Sequence, residues 1–423
     1  MNLFLRSAIL LVLVSLYSFA QDFNLTGAGA RAEGFGGAFI GLADDATSVV
    51  WNPAGLTQLE RPEASIVTRF IQEGASFKYA PDPSLNSDES QGHFTFNFGS
   101  FATPVTKGSN KIVLALAIQR QLDFYGNRIN QYDEQSGFFV DKITEKFVTK
   151  GGVNTITPGI GVKINPIFSV GFSANIWMGN LNAEQSQENS RLGKDRYTFD
   201  LDYSGLNFVL GGLVDFEAQN NLPLKFGVTL RTPFTLKGSG TWEINYRLTG
   251  NQDANGDLKH EIEMPFMLGL GTSYRFGENF TIAADYEIRN YGSKQNKVDV
   301  TLPDGSISSS LDNISESKQN LNEFRIGGEY LMVMEKAVIP LRFGFKTVPT
   351  VLADYIVDTS TGDYVPSTTQ VTGKSLSFGS GFITDAFAFD VTYSRATYTQ
   401  KYDVNGQIDY STGTISSSVI FYF

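Results

Sequence analysis

The sequence predicts an all-β protein: a 14-stranded antiparallel transmembrane β-barrel with a short helical N-terminal hatch in the lumen. Three observations predict it. Beyond residue 63, apolar and polar residues alternate with period two, as in strands whose two faces meet different surroundings. The links between these segments are by turns short and long, as in a meander whose hairpins turn tightly at one end only. Ahead of them, a glycine-rich stretch carries helix-capping signals instead of alternation.

Residues 1–20 read as an export signal. Arg6 supplies the positive charge, Ile9 to Leu16 the apolar run, and Ser18-Phe19-Ala20 the small residues of a cleavage site. That run is too short for an anchor, and no later stretch approaches the ~20 apolar residues of a spanning helix. Any membrane crossing therefore rests on strands. Residues 21–62 form the expected hatch. Between Gly27 and Gly41 glycines recur every few residues, so the backbone can lie close against another surface. Asp44 and Asp45 stand where the N-cap of a short run, Ala46 to Trp51, belongs. Asn52-Pro53 repeats the device, with Asn52 as cap and Pro53 at the first helical position.

The barrel is expected over residues 63–423. Phe94, Phe96 and Phe98 alternate with Thr95, Asn97 and Gly99; Phe226, Val228 and Leu230 alternate with Gly227, Thr229 and Arg231. Phe387, Phe389, Val391 and Tyr393 oppose Asp390, Thr392 and Ser394. A soluble sandwich would bury the apolar face against a second sheet. A membrane barrel puts it in lipid and turns the polar face to the lumen. Link lengths favour the barrel. Short links stand at Lys107 to Asn110, Asn165-Pro166, Gln219 to Asn221, Gly277 to Asn279, Glu335-Lys336 and Asp385-Ala386. Long ones are expected at 80–91, 127–151, 183–198, 249–256, 297–318, 351–373 and 401–410. The last strand, ending Val419 to Phe423, is expected to pair with the first, leaving no apolar edge. Its terminal Phe resembles the signal read by barrel-insertion machinery.

The charge balance of 33 Lys+Arg against 44 Asp+Glu, net −11, argues against nucleic acid as a partner. There is no cysteine, so stability comes from burial and backbone pairing alone. His93 and His260 are the only histidines and stand far apart, so with no cysteine the chain shows no zinc-ligand spacing; no metal and no cofactor are expected. Both sit where strands meet outer loops, so a Ser–His esterase stands as a remote alternative to a non-enzyme. Asn251, Asp253 and Asn255 before Gly256 hint at a cation loop, but Ile262 occupies the closing position where a carboxylate is needed. Inward Arg231, Arg275, Arg289, Arg325, Arg342 and Lys346 share the lumen with Asp285, Glu287, Glu329 and Asp390. Ion pairing between wall and hatch is the favoured reading, a substrate-carboxylate site the alternative. Phe124, Tyr125, Phe138 and Phe139 are expected as an interfacial girdle, with an outer capture groove as the alternative.

The hatch sequence resembles the FadL/TodX type of outer membrane protein transport family, the long-chain fatty acid transporters. The likeness lies in Ala30 to Phe39, then Leu42 to Ala46, then Trp51-Asn52-Pro53-Ala54-Gly55-Leu56, in that order. It implies an outer-membrane channel for passive, ligand-gated uptake of long-chain fatty acids or other hydrophobic compounds, in a Gram-negative cell. The implied route passes a pocket above the hatch and leaves sideways through the barrel wall, at a kink in the third strand, here Lys111 to Phe124. Lateral exit suits an acyl chain, which gains ~0.8 kcal/mol per buried methylene. No Gly or Pro in that strand announces a kink. On this reading Phe35, Phe39, Trp51 and Arg120 contact substrate, and Asn52, Pro53 and Ala54 form the gate. Partners are hydrophobic small molecules and outer-membrane lipid, and a monomer is expected. A barrel of the same architecture serving protein secretion or surface assembly is the alternative function.

Overall fold

The computed structural model describes residues 27–106, 110–136, 139–217, 222–248, 252–402 and 405–423. The export signal, the start of the hatch, Phe138, Asn251, part of the link at 107–110 and all of the link at 219–221 lie outside the described residues, as does the side chain of Phe139.

Runs rich in β-branched and aromatic residues pair in chain order into one antiparallel meander. Its staves are β1 (Glu63–Tyr79), β2 (Ser87–Pro104), β3 (Ile112–Asp123, continued by Gly126–Ser136), β4 (Phe139–Lys163) and β5 (Phe168–Asn189). Then come β6 (Gly193–Asp215), β7 (Leu224–Arg231 and Phe234–Asn245), β8 (Ala254–Met264 and Met267–Phe276) and β9 (Phe280–Arg289 and Gln295–Thr301). The last are β10 (Ile307–Asn313 and Leu321–Val333), β11 (Val338–Val357), β12 (Tyr364–Ile383), β13 (Phe387–Tyr402) and β14 (Gly406–Tyr422). Among the described residues, nineteen hydrogen-bonded stretches thus make fourteen staves, because five staves are each interrupted once. Pro233 breaks β7 and Pro265 breaks β8, since proline has no N–H to give the ladder. β14 returns to β1, from Glu63↔Tyr422 to Tyr79↔Gly406, and closes the barrel.

Most of the expected long links are themselves strand. Gly126–Ser136 pairs with Phe139–Thr149, Gln295–Thr301 pairs with Ile307–Asn313, and only Ser190 to Leu192 separates β5 from β6. Their polar composition had pointed to loop. The reason they pair is that the alternation changes phase partway up the wall. In β6 the outward side chains are Leu206, Phe208 and Leu210, with Asn207 and Val209 inside; above Gly205 the outward ones are Asp200, Asp202 and Ser204, with Phe199, Leu201 and Tyr203 buried. β5 switches likewise at Gly179: Phe172, Ile176 and Met178 face out below it, Asn180 and Asn182 above, where Leu181 and Ala183 turn in. A transmembrane strand takes ~9–11 residues, so the lower halves span lipid and the upper halves stand in water.

The inward apolar side chains of the upper halves form a core of their own. It includes Leu181, Phe199, Leu201, Leu236, Trp242, Leu258, Tyr291 and Val300. Inside it, Tyr203 hydrogen-bonds His260 Nδ1 at 2.7 Å, and His260 Nε2–H donates to Asn296. Burial pushes the His260 imidazole down to about 4, opposed only by the bond to Asn296.

Within the lower half, Gly27 to Leu59 fills the lumen. α1 (Ala30–Gly34) packs on β11 to β14, α2 (Ser48–Trp51) on β3 and β4, and a 3-10 turn (Pro53–Gln58) on β3 to β6. α2 starts later than the capping pattern implied. Thr47 precedes it, and Asp45 instead accepts the Thr47 N–H at 2.8 Å, while Asp44 turns to Arg31. Asn52 does cap the turn that follows, accepting the Ala54 N–H at 3.2 Å, with Pro53 at its first position.

Candidate functional site

The site is built on the bonds that hold the hatch against the wall. Where the two backbones meet, the wall has glycine: a side chain at Gly344 would collide with Phe35 and Gly36, and one at Gly211 with Asn52, Pro53 and Ala54. Asn52 Nδ2 donates to the carbonyl of Ile40 (2.9 Å) and to that of Gly212 on β6 (3.1 Å). Asp285 on β9 accepts the N–H of Phe39 (2.7 Å) and of Ile40 (2.9 Å). Thr392 of β13 donates to Ala30, and Ser273 of β8 to Gly41.

Charges complete the attachment. Arg31 pairs with Asp44 inside the hatch and with Glu329 on β10 at 3.3 Å. Glu33 receives Arg69 of β1 and Ser416 of β14. Arg342 joins Glu329 and Asp390, each at 2.6 Å. Arg289 and Arg325 lie among Glu287 and Glu323, with Lys346 3.7 Å from Glu323. Arg231 donates to the Val50 carbonyl. Arg275 stands apart, exposed beside Glu217. Desolvation cancels much of the attraction in buried pairs, but removing one partner typically costs 3–5 kcal/mol. Such a network fixes position more than it adds stability.

Above the hatch lies a cavity of about 930 Å³ that runs along β1, β2, β3 and β14 toward the outer mouth. Gly36, Gly37, Glu33 and Trp51 form part of its floor. The wall beside it is discontinuous. The β2–β3 ladder runs only from Pro104↔Val113 to Phe98↔Gln119. Above that level β2 stays paired with β1, and β3 with β4. Two bulges mark the parting. Asn97 is the unmatched residue between Phe96 and Phe98, and Gln121 the unmatched one between Arg120 and Leu122. No backbone ladder crosses the resulting seam, and these contacts, each involving a side chain, span it instead. His93 Nε2 is 3.4 Å from Asp123 and its ring stacks on Tyr125 at 4.1 Å; Asn127 N–H donates to Gln91 at 3.0 Å; Arg128 pairs with Glu89.

The residues singled out from sequence fall on both sides of the cavity floor. Trp51 and Arg120 line the cavity. Arg120 lies over Gly152, and its Nε has no hydrogen-bond partner among the described residues. Phe35 and Phe39 are fully enclosed beneath the floor, with Phe39 between Phe35 (6.4 Å) and Trp51 (6.1 Å). Asn52, Pro53 and Ala54 lie buried against β4 to β6, away from the cavity. Phe124 turns inward onto Tyr203 instead of joining a girdle, and Tyr125 stacks on His93. Val113, Ala115 and Ala117 of β3 pack on the hatch, while Leu114, Leu116 and Ile118 face outward. Sequence reasoning looked to the third strand for an opening through the resemblance alone and did not read the seam from its residues. Its signal was Gln119-Arg120-Gln121, three polar residues in succession that break the alternation of β3 where the bulge occurs.

Neither histidine is arranged for hydrolysis. His260 is buried between Tyr203 and Asn296, and the contacts of His93 are Asp123 and Tyr125. No group of three or more His, Cys, Asp or Glu is arranged for a metal among the described residues. No helix among them is long and apolar enough to cross a membrane.

A closed barrel with a lipid-compatible lower belt and a bonded N-terminal cork is an outer-membrane β-barrel of the hatch-plugged class. The chain belongs to the BamG family, whose model matches residues 32–352. No curated protein matches it in sequence. Among solved structures it is similar to a Pseudomonas aeruginosa FadL homologue, at 13% identity and TM-score 0.62 over 94% of this chain and 98% of that one. It is also similar to the Pseudomonas putida toluene transporter TodX, at 14% identity and TM-score 0.63 over 95% and 100%. The Ralstonia pickettii toluene transporter TbuX gives 14% identity and TM-score 0.58 over 95% and 100%. At these identities the likeness is one of fold.

Proposed function

We propose that this protein admits hydrophobic small molecules, hydrocarbons or long-chain fatty acids, across the outer membrane of a Gram-negative cell, acting as a monomer and without catalysis. Substrate enters the cavity from the outer mouth, rests on the floor near Trp51 and Arg120, and leaves sideways into lipid. The observation that carries the reading is a cavity of about 930 Å³ lying beside a stretch of wall with no backbone ladder. A sideways exit suits apolar cargo, since each methylene kept from water is worth about 0.8 kcal/mol. Solved neighbours named as toluene transporters support the substrate class. Phe35 and Phe39 then act by shaping the floor beneath the substrate, and Asn52, Pro53 and Ala54 by holding the hatch as a gate. The test is uptake of radiolabelled palmitate and toluene by cells with and without the gene. Gene-dependent uptake of either supports the proposal; equal uptake of both with and without it rejects it.

One observation favours a second reading, a barrel that serves secretion or assembly of surface proteins. The cavity lining is rich in charged groups, among them Glu33, Arg69, Arg289, Glu323, Arg325 and Lys346, which suit a plugged scaffold better than an oily conduit. Co-purification of a stoichiometric outer-membrane partner, with gene-independent uptake, would favour it.

A further inference from the structure

We propose that His93, with Asp123 and Tyr125, is a proton-sensitive clasp across the β2/β3 seam; this rests on the sideways-exit reading above. Four features place the clasp. The seam begins where two bulges, at Asn97 and Gln121, end the ladder. Both flanking strands keep their other neighbours, so either can swing without losing its backbone pairing. His93 contacts β3 only through its ring, 3.4 Å from the Asp123 carboxylate and stacked on Tyr125. Neither ring nitrogen has a well-formed hydrogen bond among the described residues, so the contact depends on charge and stacking.

Imidazole is the side chain that changes charge between pH 5 and 8. Protonated, His93 pairs with Asp123 and draws the strands together. Neutral, it keeps only the stack. Charged groups from several elements line the same cavity. β1 contributes Glu73 and Arg69, β2 contributes Asp88 and Glu89, β3 contributes Arg120 and Arg128, and the hatch contributes Glu33. Arg128 is already paired with Glu89, and Arg69 with Glu33.

The chain has no cysteine, so thiol labels go only where they are placed. Nitroxides on Ser90→Cys and Asn130→Cys, which flank the seam, read its width by pulsed dipolar spectroscopy in lipid. At pH 5 the distances are expected to be short and narrowly distributed, and at pH 8 longer and broader. His93→Gln is expected to give the pH 8 distribution at both values, and His93→Arg the narrow one at both. A distribution that ignores pH, or that His93→Gln leaves pH-dependent, overturns the clasp. Bridging the same two thiols with a bifunctional reagent and measuring uptake tests the route separately. Uptake that survives the bridge while distances follow pH and His93 retires the sideways exit and keeps the clasp. Uptake abolished by the bridge while distances ignore His93 keeps the exit and retires the clasp.

Discussion

Asp285 is the residue through which the wall most directly holds the cork. One carboxylate oxygen takes two successive backbone N–H groups, from Phe39 and Ile40, at the centre of the hatch. Hydrogen bonds to charged groups contribute about 1.5–3 kcal/mol each, and their loss would leave both donors buried and unpaired. Asp285→Ala is therefore expected to let the hatch shift, seen in planar bilayers as bursts of ion current that the parent protein lacks, with Asp285→Asn intermediate. A silent Asp285→Ala would mean that the surrounding pairs suffice. His260 makes the second residue-scale prediction, in the part of the barrel above lipid. Its folded value, about 4, lies below the ordinary 6.5, so the unfolded chain binds the extra proton first as pH falls. The stability this neutral histidine contributes is complete above pH 6.5 and is lost progressively as pH drops toward 4, by about 3 kcal/mol in all. Hydrogen exchange of the upper strands measured from pH 7 to pH 4 should show protection falling, and His260→Gln should remove most of that slope.

At the scale of the strand, the informative event is the change of phase. The alternation itself, the fourteen staves and the tight turns at one end were legible, because period two and link length are local properties of the chain. Residues 183–198 were misread as loop because Glu184, Glu188 and Asp195 look like solvated loop residues when only polarity is counted. The clue is that the apolar residues of β6 move from odd to even positions across Gly205: Phe199, Leu201 and Tyr203, then Leu206, Phe208 and Leu210. The same geometry predicts what substitution will do. Leu210→Arg, on the lipid face, is expected to cost about 2–4 kcal/mol near the bilayer midplane, against near zero for Asp202→Arg, which faces water. Denaturant titration in lipid vesicles measures both, and equal costs would contradict the assigned membrane edge. Pairing partners across the seam were not legible in this way. Which side chains meet there, His93 with Asp123 and Gln91 with Asn127, follows from the register of three strands at once. Of the site residues, Trp51 and Arg120 reach the cavity, while Phe35 and Phe39 lie under it, because glycine spacing reveals that a segment packs closely but not which of its sides faces in.

For the whole molecule, the account joins a barrel and a cork that would each be incomplete alone. The lower wall offers the lumen a ring of glycines, hydroxyls and charges with few apolar side chains to fill the space, and Gly27 to Leu59 fills it. The upper wall fills part of its own interior, with Trp242, Phe199 and Tyr291 among the largest buried side chains, and leaves open the cavity along β1, β2, β3 and β14. Removing the hatch should therefore leave a barrel that still closes through β1 and β14 but conducts. The most direct measurement is ion conductance across planar bilayers for the mature chain with and without residues 27–59, both refolded from the same detergent. The account predicts near silence for the first and a steady open current for the second; equal conductance from the two would contradict it.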